Sequence, residues 1–482
     1  MEKIGQACTT AKETIKACIA DTRWFYFGSS LLVVVITLTH YANGFKTTAL
    51  GLSYADITCI IAIVVALCVL LGGETKLFEQ RRKLLVFGSS LLVAIGFLLL
   101  RAAVVLLPDL YGAALIFSAC SVGLFIGVIA LYWFHFFVGQ TIETVAFSLL
   151  VSIIVGCIIS WFLLGMQWDR LLIGYVAVVL LAGWSLSYAL SERPKHPQHN
   201  EETEPPALSF LVGPLLTAFL FSFAFMLSVS YVGLEAWHSD AGWSMLWPAA
   251  LVLGIVALFS KRINVASLLY IALTLVVAGM LFASFLHIGE SFIFSLATMG
   301  CAVNICYLII LFCSLGGRFS FNSFKLASLL LVSVFSGCLL GRPVALVMDM
   351  IDASGTLKAF VSICLIIGII VCTFIGLNNR TIQLYSKYRF KHRSKKGDVV
   401  MGGSSYIVEY AIEHGLGARE QEALLLLLEG KTASEVADGM FIARGTAKAH
   451  IRHIYRKLDV HDREELFELM KDVDPSFQSS VE

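Results

Sequence analysis

"IARGTAKAHIRHIYRKLDV", Ile442 to Val460, is the stretch from which the rest of the chain is read. Ala447, Ile451, Ile454 and Leu458 fall at i, i+4, i+7 and i+11, the spacing of one apolar helical face. Lys448, Arg452 and Arg456 repeat at i, i+4 and i+8 on a second face, and Arg444 to Leu458 holds five cations and no acid. A helix that is apolar on one side and cationic on another rests on a core while facing a polyanion.

Its neighbours complete a small unit. Upstream, the run "ALLLLL" lies in a predicted helix from Arg419 to Leu428 that stops at Gly430, a natural helix end. Thr432-Ala433-Ser434-Glu435 then forms a capping box, in which hydroxyl and carboxylate each satisfy an orphan backbone N–H, and opens a helix running to Met440. A tight turn through Phe441 to Gly445 leads into the cationic helix. Downstream, Asp462-Arg463-Glu464-Glu465 opens a fourth helix showing Leu466, Leu469 and Met470. Glu420, Glu422, Glu429 and Glu435 lie on the other helices, so positive charge is focused on the third.

The remainder is of another kind. Over 482 residues, 58% are hydrophobic and 14% charged, against about 45–50% and about 25% in soluble domains. Twelve apolar segments stand at 25–43, 54–72, 84–107, 110–132, 142–165, 170–190, 207–231, 243–260, 264–286, 291–315, 325–348 and 356–377. Each is long enough to cross a hydrocarbon layer about 30 Å thick. The polar break "SERPKHPQHNEETEPP", Ser191 to Pro206, divides them six and six. Lys and Arg gather in the N-terminal tail, after the second, eighth and tenth spans, and in that break, while the alternate loops offer only Lys46 and Arg170. By the positive-inside rule both termini face the cytoplasm, as an even span count also requires. The polar N-terminus is too long to lead a cleaved signal peptide. The twelve cysteines include no CxxC pair, which leaves them as buried hydrophobes without a disulfide or metal framework.

The expected fold class is all-α: a polytopic membrane bundle of six plus six spans followed by a small four-helix domain. The expected domains are a cytoplasmic tail (1–23), a first six-span half (24–190), a cytoplasmic linker (191–206) and a second half (207–377). A basic juxtamembrane segment with a glycine hinge (378–413), the four-helix domain (414–471) and a tail (472–482) complete the chain.

Gly415 to Leu466 resembles the LuxR-type helix-turn-helix family over its whole length. The resemblance is carried by Arg419-Glu420, Gly430, Glu435-Val436-Ala437, Ile442, Thr446, Lys448, His450, Ile454, Lys457-Leu458, Val460 and Arg463. It implies that the third helix enters the DNA major groove with Lys448, Ala449 and Arg452 facing bases, and that Thr446, Arg456 and Lys457 lie near phosphates. It also implies a homodimer through the fourth helix. The sequence departs from the family in Gly417, where a Thr or Ser usually opens the first helix, and in Ala443 and Ala447, where Ser and Val are usual. A lost cap costs about 0.5–2 kcal/mol, so the domain is expected to be marginal alone.

The six-plus-six layout resembles the major facilitator architecture. That family's loop signature is incomplete here, because "GGETKLFEQRRKLL" keeps Arg81-Arg82-Lys83 and lacks the Asp-Arg pair and second Gly. Intramembrane charges mark functional sites because they are costly. Arg342 in the eleventh span is the sharpest, either paired with Asp349 or meeting an anionic ligand; Arg101, Glu143 and Asp56 also lie in or beside spans. On the outer side, "EAWHSDAGWSMLW" gathers Glu235 and His238 among tryptophans, as an interfacial anchor or a ligand mouth.

No Walker loop, dinucleotide fingerprint, metal spacing or catalytic triad is present in the sequence, so neither enzymatic activity nor a cofactor is expected. The expected function is that of a one-component transcription regulator in the cell (inner) membrane. Its partners would be double-stranded DNA, the lipid bilayer, a second copy of the chain and a small-molecule ligand sensed by the spans. The alternative is a major-facilitator-like transporter carrying an autoregulatory DNA-binding domain.

Overall fold

In hydrocarbon every backbone N–H and C=O must be satisfied within the chain, and a run of apolar residues meets that demand by coiling into helix. The computed structural model describes residues 24–41, 52–72, 78, 80–138, 140, 142–192, 211–232, 265–282, 290–318, 321–350, 355–378, 407, 410–411, 414–428, 430–440 and 444–473. Among them there is no strand. The chain divides into two compact units, residues 1–391 and 392–482.

The first unit contains α1 (Ser29–Tyr41), α2 (Tyr54–Leu71), α3 (Arg82–Leu106), α4 (Tyr111–Phe137), α5 (Ile142–Leu164) and α6 (Trp168–Ser191). It continues with α7 (Val212–Val232), α8 (Val265–Leu281), α9 (Glu290–Arg318), α10 (Ser323–Met350) and α11 (Gly355–Asn378). Eleven of the twelve expected segments are therefore helices, and the twelfth, 243–260, lies outside the described residues. Seven of the eleven are long and apolar enough to cross a membrane, and the described parts of α1, α7, α8 and α11 are shorter apolar helices.

Helix α4 is the hub of the first six, with Phe125, Ile129, Tyr132 and Phe136 fully buried and both α2 and α3 packed along it. At Gly123 a methyl group would stand 2.6 Å from the Thr58 carbonyl of α2, so only glycine permits that approach. The later helices repeat the device. A methyl at Gly341 of α10 would stand 2.7 Å from the Phe223 carbonyl of α7, and one at Gly337 would collide with the Phe219 carbonyl. Small residues four apart let membrane helices meet backbone to backbone, where van der Waals contact replaces the hydrophobic drive that lipid removes. Helix α10 also packs on α2 and α4 and thereby joins described helices on either side of residues 191–206.

The second unit consists of α12 (Ala418–Leu428), α13 (Ala433–Met440), α14 (Arg444–Leu458) and α15 (Arg463–Val473), each within a residue or two of its expected start. Its core draws on all four, with Leu424, Leu427, Val436, Met440, Ala447, Ile454, Leu466 and Met470 buried together. Ile407 and Ala411 are helical and buried in the same core, so packing reaches back past residue 414. Gly430 follows α12 with φ +85°, and Lys431 N–H closes on the Leu426 carbonyl at 3.3 Å. After α14 the same left-handed position is filled by Asp459 (φ +55°), with Val460 N–H on the Tyr455 carbonyl at 3.0 Å.

Candidate nucleic-acid interface

The start of α13 is fixed by the capping box expected there. Thr432 N–H donates to the Glu435 carboxylate at 2.9 Å, and Glu435 N–H donates to the Thr432 hydroxyl at 3.4 Å. From the start of α14, Arg444 Nε donates to the Ser434 hydroxyl at 2.7 Å, pinning the first turn of α14 to α13. Helix α14 then lies on α12 and α13 through Ala447, Ile454 and Leu458.

At 100° per residue, the buried stripe turns Ala449, Arg452 and Arg456 to the opposite side, with Lys448 at its edge. Lys448, Ala449, Arg452, Arg456 and Thr446 are all exposed. Lys448, Arg452 and Arg456 have no hydrogen-bond or ion-pair partner among the described residues, so their donors are unspent. A stripe of free cations on one helix, with nothing among the described residues to neutralise it, is suited to phosphates and guanine edges.

Lys457 is placed differently from the expectation. Its ammonium donates to the Glu420 carboxylate at 2.6 Å and to the Gly415 carbonyl at 2.8 Å. The reason is rotational: position 457 falls toward α12, not on the stripe of 448, 452 and 456. Glu420 is buried and also accepts from Gly417 N–H at 2.8 Å, while His453 Nδ1 stands 3.5 Å from its second oxygen. Burial pushes the Glu420 carboxyl up, but Lys457, the Gly417 amide and His453 together hold it below the ordinary glutamate value. Gly417 therefore keeps half of a capping box, lacking only the side chain that would accept from residue 420. Arg463 has an internal task too: Nη2 donates to the Leu427 carbonyl at 2.9 Å, and the guanidinium lies 5.5 Å from the Phe467 ring centre.

In the membrane unit, the partner the structure gives Arg342 is Asp56, at 3.3 Å between Nη1 and Oδ2. Asp349 stands two turns further along the same helix, about 10 Å by the helical rise, whereas Asp56 opens α2, which packs alongside. Asp56 also forms a capping box with Ser53 at the head of α2. The side chain of Asp349, and Glu235 and His238, lie outside the described residues. Among the described residues no cluster of three or more metal-ligating side chains is present.

Two helices separated by three residues, the second presenting free cations from a firmly seated core, fit a helix-turn-helix DNA-binding domain. Residues 414–470 match the family described as "Bacterial regulatory proteins, luxR family", and this C-terminal part of the chain is a LuxR-type domain. The transcriptional regulatory protein LiaR of Bacillus subtilis (strain 168) is 41% identical over 83 residues, 17% of this chain and 39% of LiaR. The uncharacterized response regulatory protein YgeK of Escherichia coli (strain K12) is 40% identical over 57 residues, 12% of this chain and 39% of YgeK. The chain thus spans about two fifths of the length of these curated relatives. Among solved structures, the major facilitator superfamily transporter FucP in its outward conformation is similar at TM-score 0.47 and 14% identity, over 76% of this chain and 98% of that one. The nucleoside transporter NupG is similar at TM-score 0.39 and 15% identity, over 73% and 97%.

Proposed function

We propose that the chain is a membrane-embedded transcription regulator whose spans sense a ligand or membrane state and whose LuxR-type domain binds DNA. The observation that carries this reading is the free stripe of Lys448, Arg452 and Arg456, in one chain with helices long and apolar enough to cross a bilayer. Lys448 and Arg452 read base edges beside Ala449; Thr446 and Arg456 hold phosphates; Lys457 orders the domain from within. Two copies pair through α15 on a two-fold site, with recognition helices about 34 Å apart. The membrane halves run over 24–190 and 207–377, both termini lie on the cytoplasmic side, and the DNA-binding domain begins at or before Ile407. A ligand that binds one packing of the bundle better than another shifts the population between them.

The test is genome-wide crosslinking and pull-down of the full-length protein, with the Lys448→Ala, Arg452→Ala double variant as control. Discrete sites lost in the variant are expected; absence of sites under every growth condition would overturn DNA-based regulation. Removal of residues 24–377 tests the sensing step, which predicts a changed occupancy; unchanged occupancy would sink it.

A further inference from the structure

The Arg342–Asp56 pair joins α10, which follows residues 191–206, to α2, which precedes them, and it is only partly satisfied. Each side chain keeps 14% of its surface exposed. On Arg342, Nη1 serves both Ser53 Oγ and Asp56 Oδ2, while Nε and Nη2 have no partner among the described residues. On Asp56, Oδ2 accepts from the Ser53 amide at 2.9 Å, from the Ser53 hydroxyl at 2.8 Å and from Arg342, while Oδ1 has no partner among the described residues. An open donor edge therefore stands beside an open acceptor, and each side chain keeps some exposed surface through which a ligand can reach them.

Charge selects what fits there. A simple anion on the guanidinium would leave a net negative charge beside Asp56 at low dielectric, and a simple cation on Asp56 would leave a net positive charge beside Arg342. A molecule carrying both charges leaves the site neutral and meets both open edges with charge-assisted hydrogen bonds. We propose that Arg342 and Asp56 form the receiving site for a small zwitterion of the α-amino-acid class, carboxylate on the guanidinium edge and ammonium on Oδ1. This deepens the reading of the membrane unit as a sensor and rests on it. Pro343 follows Arg342 within α10 and has no N–H for the Leu339 carbonyl, so the helix is weakest beside the residue the ligand would grip.

The experiment uses full-length protein in detergent micelles and follows thermal unfolding with each common L-amino acid at about 10 mM. The amino acid giving the largest shift is then compared with its deaminated carboxylic acid and its decarboxylated amine. We expect the zwitterion to raise Tm by about 2–4 °C, the two singly charged analogues to leave it unmoved, and Asp56→Asn to lose the response. Asparagine keeps an oxygen for the cap while removing the ammonium's partner. No shift from any amino acid, an equal shift from the carboxylic acid, or a full response in Asp56→Asn would each overturn the site. Should Asp56→Asn fail to fold, the comparison of analogues on the unaltered protein still decides. DNA takes no part in this measurement, so its failure removes the site while the regulator reading stands or falls on crosslinking.

Discussion

Lys457 on the recognition helix and Glu420 at the start of α12 meet at 2.6 Å, and the same ammonium holds the Gly415 carbonyl. The pair ties the recognition helix to the chain that enters the domain. Lys457→Met is therefore expected to lower the stability of the DNA-binding unit by about 1–2 kcal/mol, the range for a partly exposed hydrogen bond to a charged group. Its DNA affinity should keep an unchanged salt dependence. A reduced salt slope without loss of stability, read by titration and denaturant unfolding, would return Lys457 to the phosphate contacts.

Stability of this unit should fall in acid. Glu420 binds its proton more weakly folded than unfolded, so its contribution is complete above the ordinary glutamate value of 4.5 and drains away as pH drops below it. Glu435, held low by the Thr432 amide and hydroxyl, adds an effect of the same sign. Urea midpoints from about pH 6 to about pH 3 should decline, and Glu420→Gln should flatten the curve.

On the proposed DNA-binding reading the free cations divide by role. Arg456→Ala is expected to weaken binding on all sequences alike and to reduce the salt slope by about 0.9. Lys448→Ala and Arg452→Ala should each cost about 1–3 kcal/mol on the preferred site and relax the base preference there. Quantitative binding to matched and scrambled sites separates the two patterns.

Asp459 ends α14 in a left-handed conformation that glycine adopts without a Cβ penalty. Asp459→Gly should raise the stability of the unit by about 0.5–1 kcal/mol, and Asp459→Val should lower it by at least as much. Thermal or denaturant unfolding of the three proteins gives the order directly.

Leucine at position 337 would have to force α10 away from the α7 backbone, so Gly337→Leu should sharply reduce the yield of folded protein and its Tm in detergent. Gly368→Leu on α11 is the control, because an added Cβ there meets nothing within 4 Å. Equal tolerance of both would contradict the close approach of α7 and α10.

Local chemistry made much of this legible beforehand. The Thr432–Glu435 box and the apolar spacing of Ala447, Ile454 and Leu458 involve neighbours within a few turns, and each lies where the sequence placed it. The Gly337 and Gly341 spacing, a small-residue pair four apart, is a local signal of the same kind. What could not be read was pairing across the chain. Lys457 and Glu420 are 37 positions apart and Arg342 and Asp56 are 286 apart. Propensity and periodicity say which face a residue occupies, not which helix arrives opposite it. The burial of Ile407 escaped for a related reason, since the basic and glycine-rich run before it dominates the composition.

The contact of Gly337 and Gly341 with the α7 carbonyls has a mechanical consequence. Side chains between two helices act as a cushion, because rotamers shift and let one rod creep past the other. At Gly337 and Gly341 the α7 backbone and the Cβ atoms of Ser222 and Met226 leave no room for such a cushion. Sliding of α7 past α10 is hindered at these two points, and α10 also lies against α2 and α4. The seam is keyed at two glycines, and a displacement of α7 bears on the helix that also touches α2 and α4.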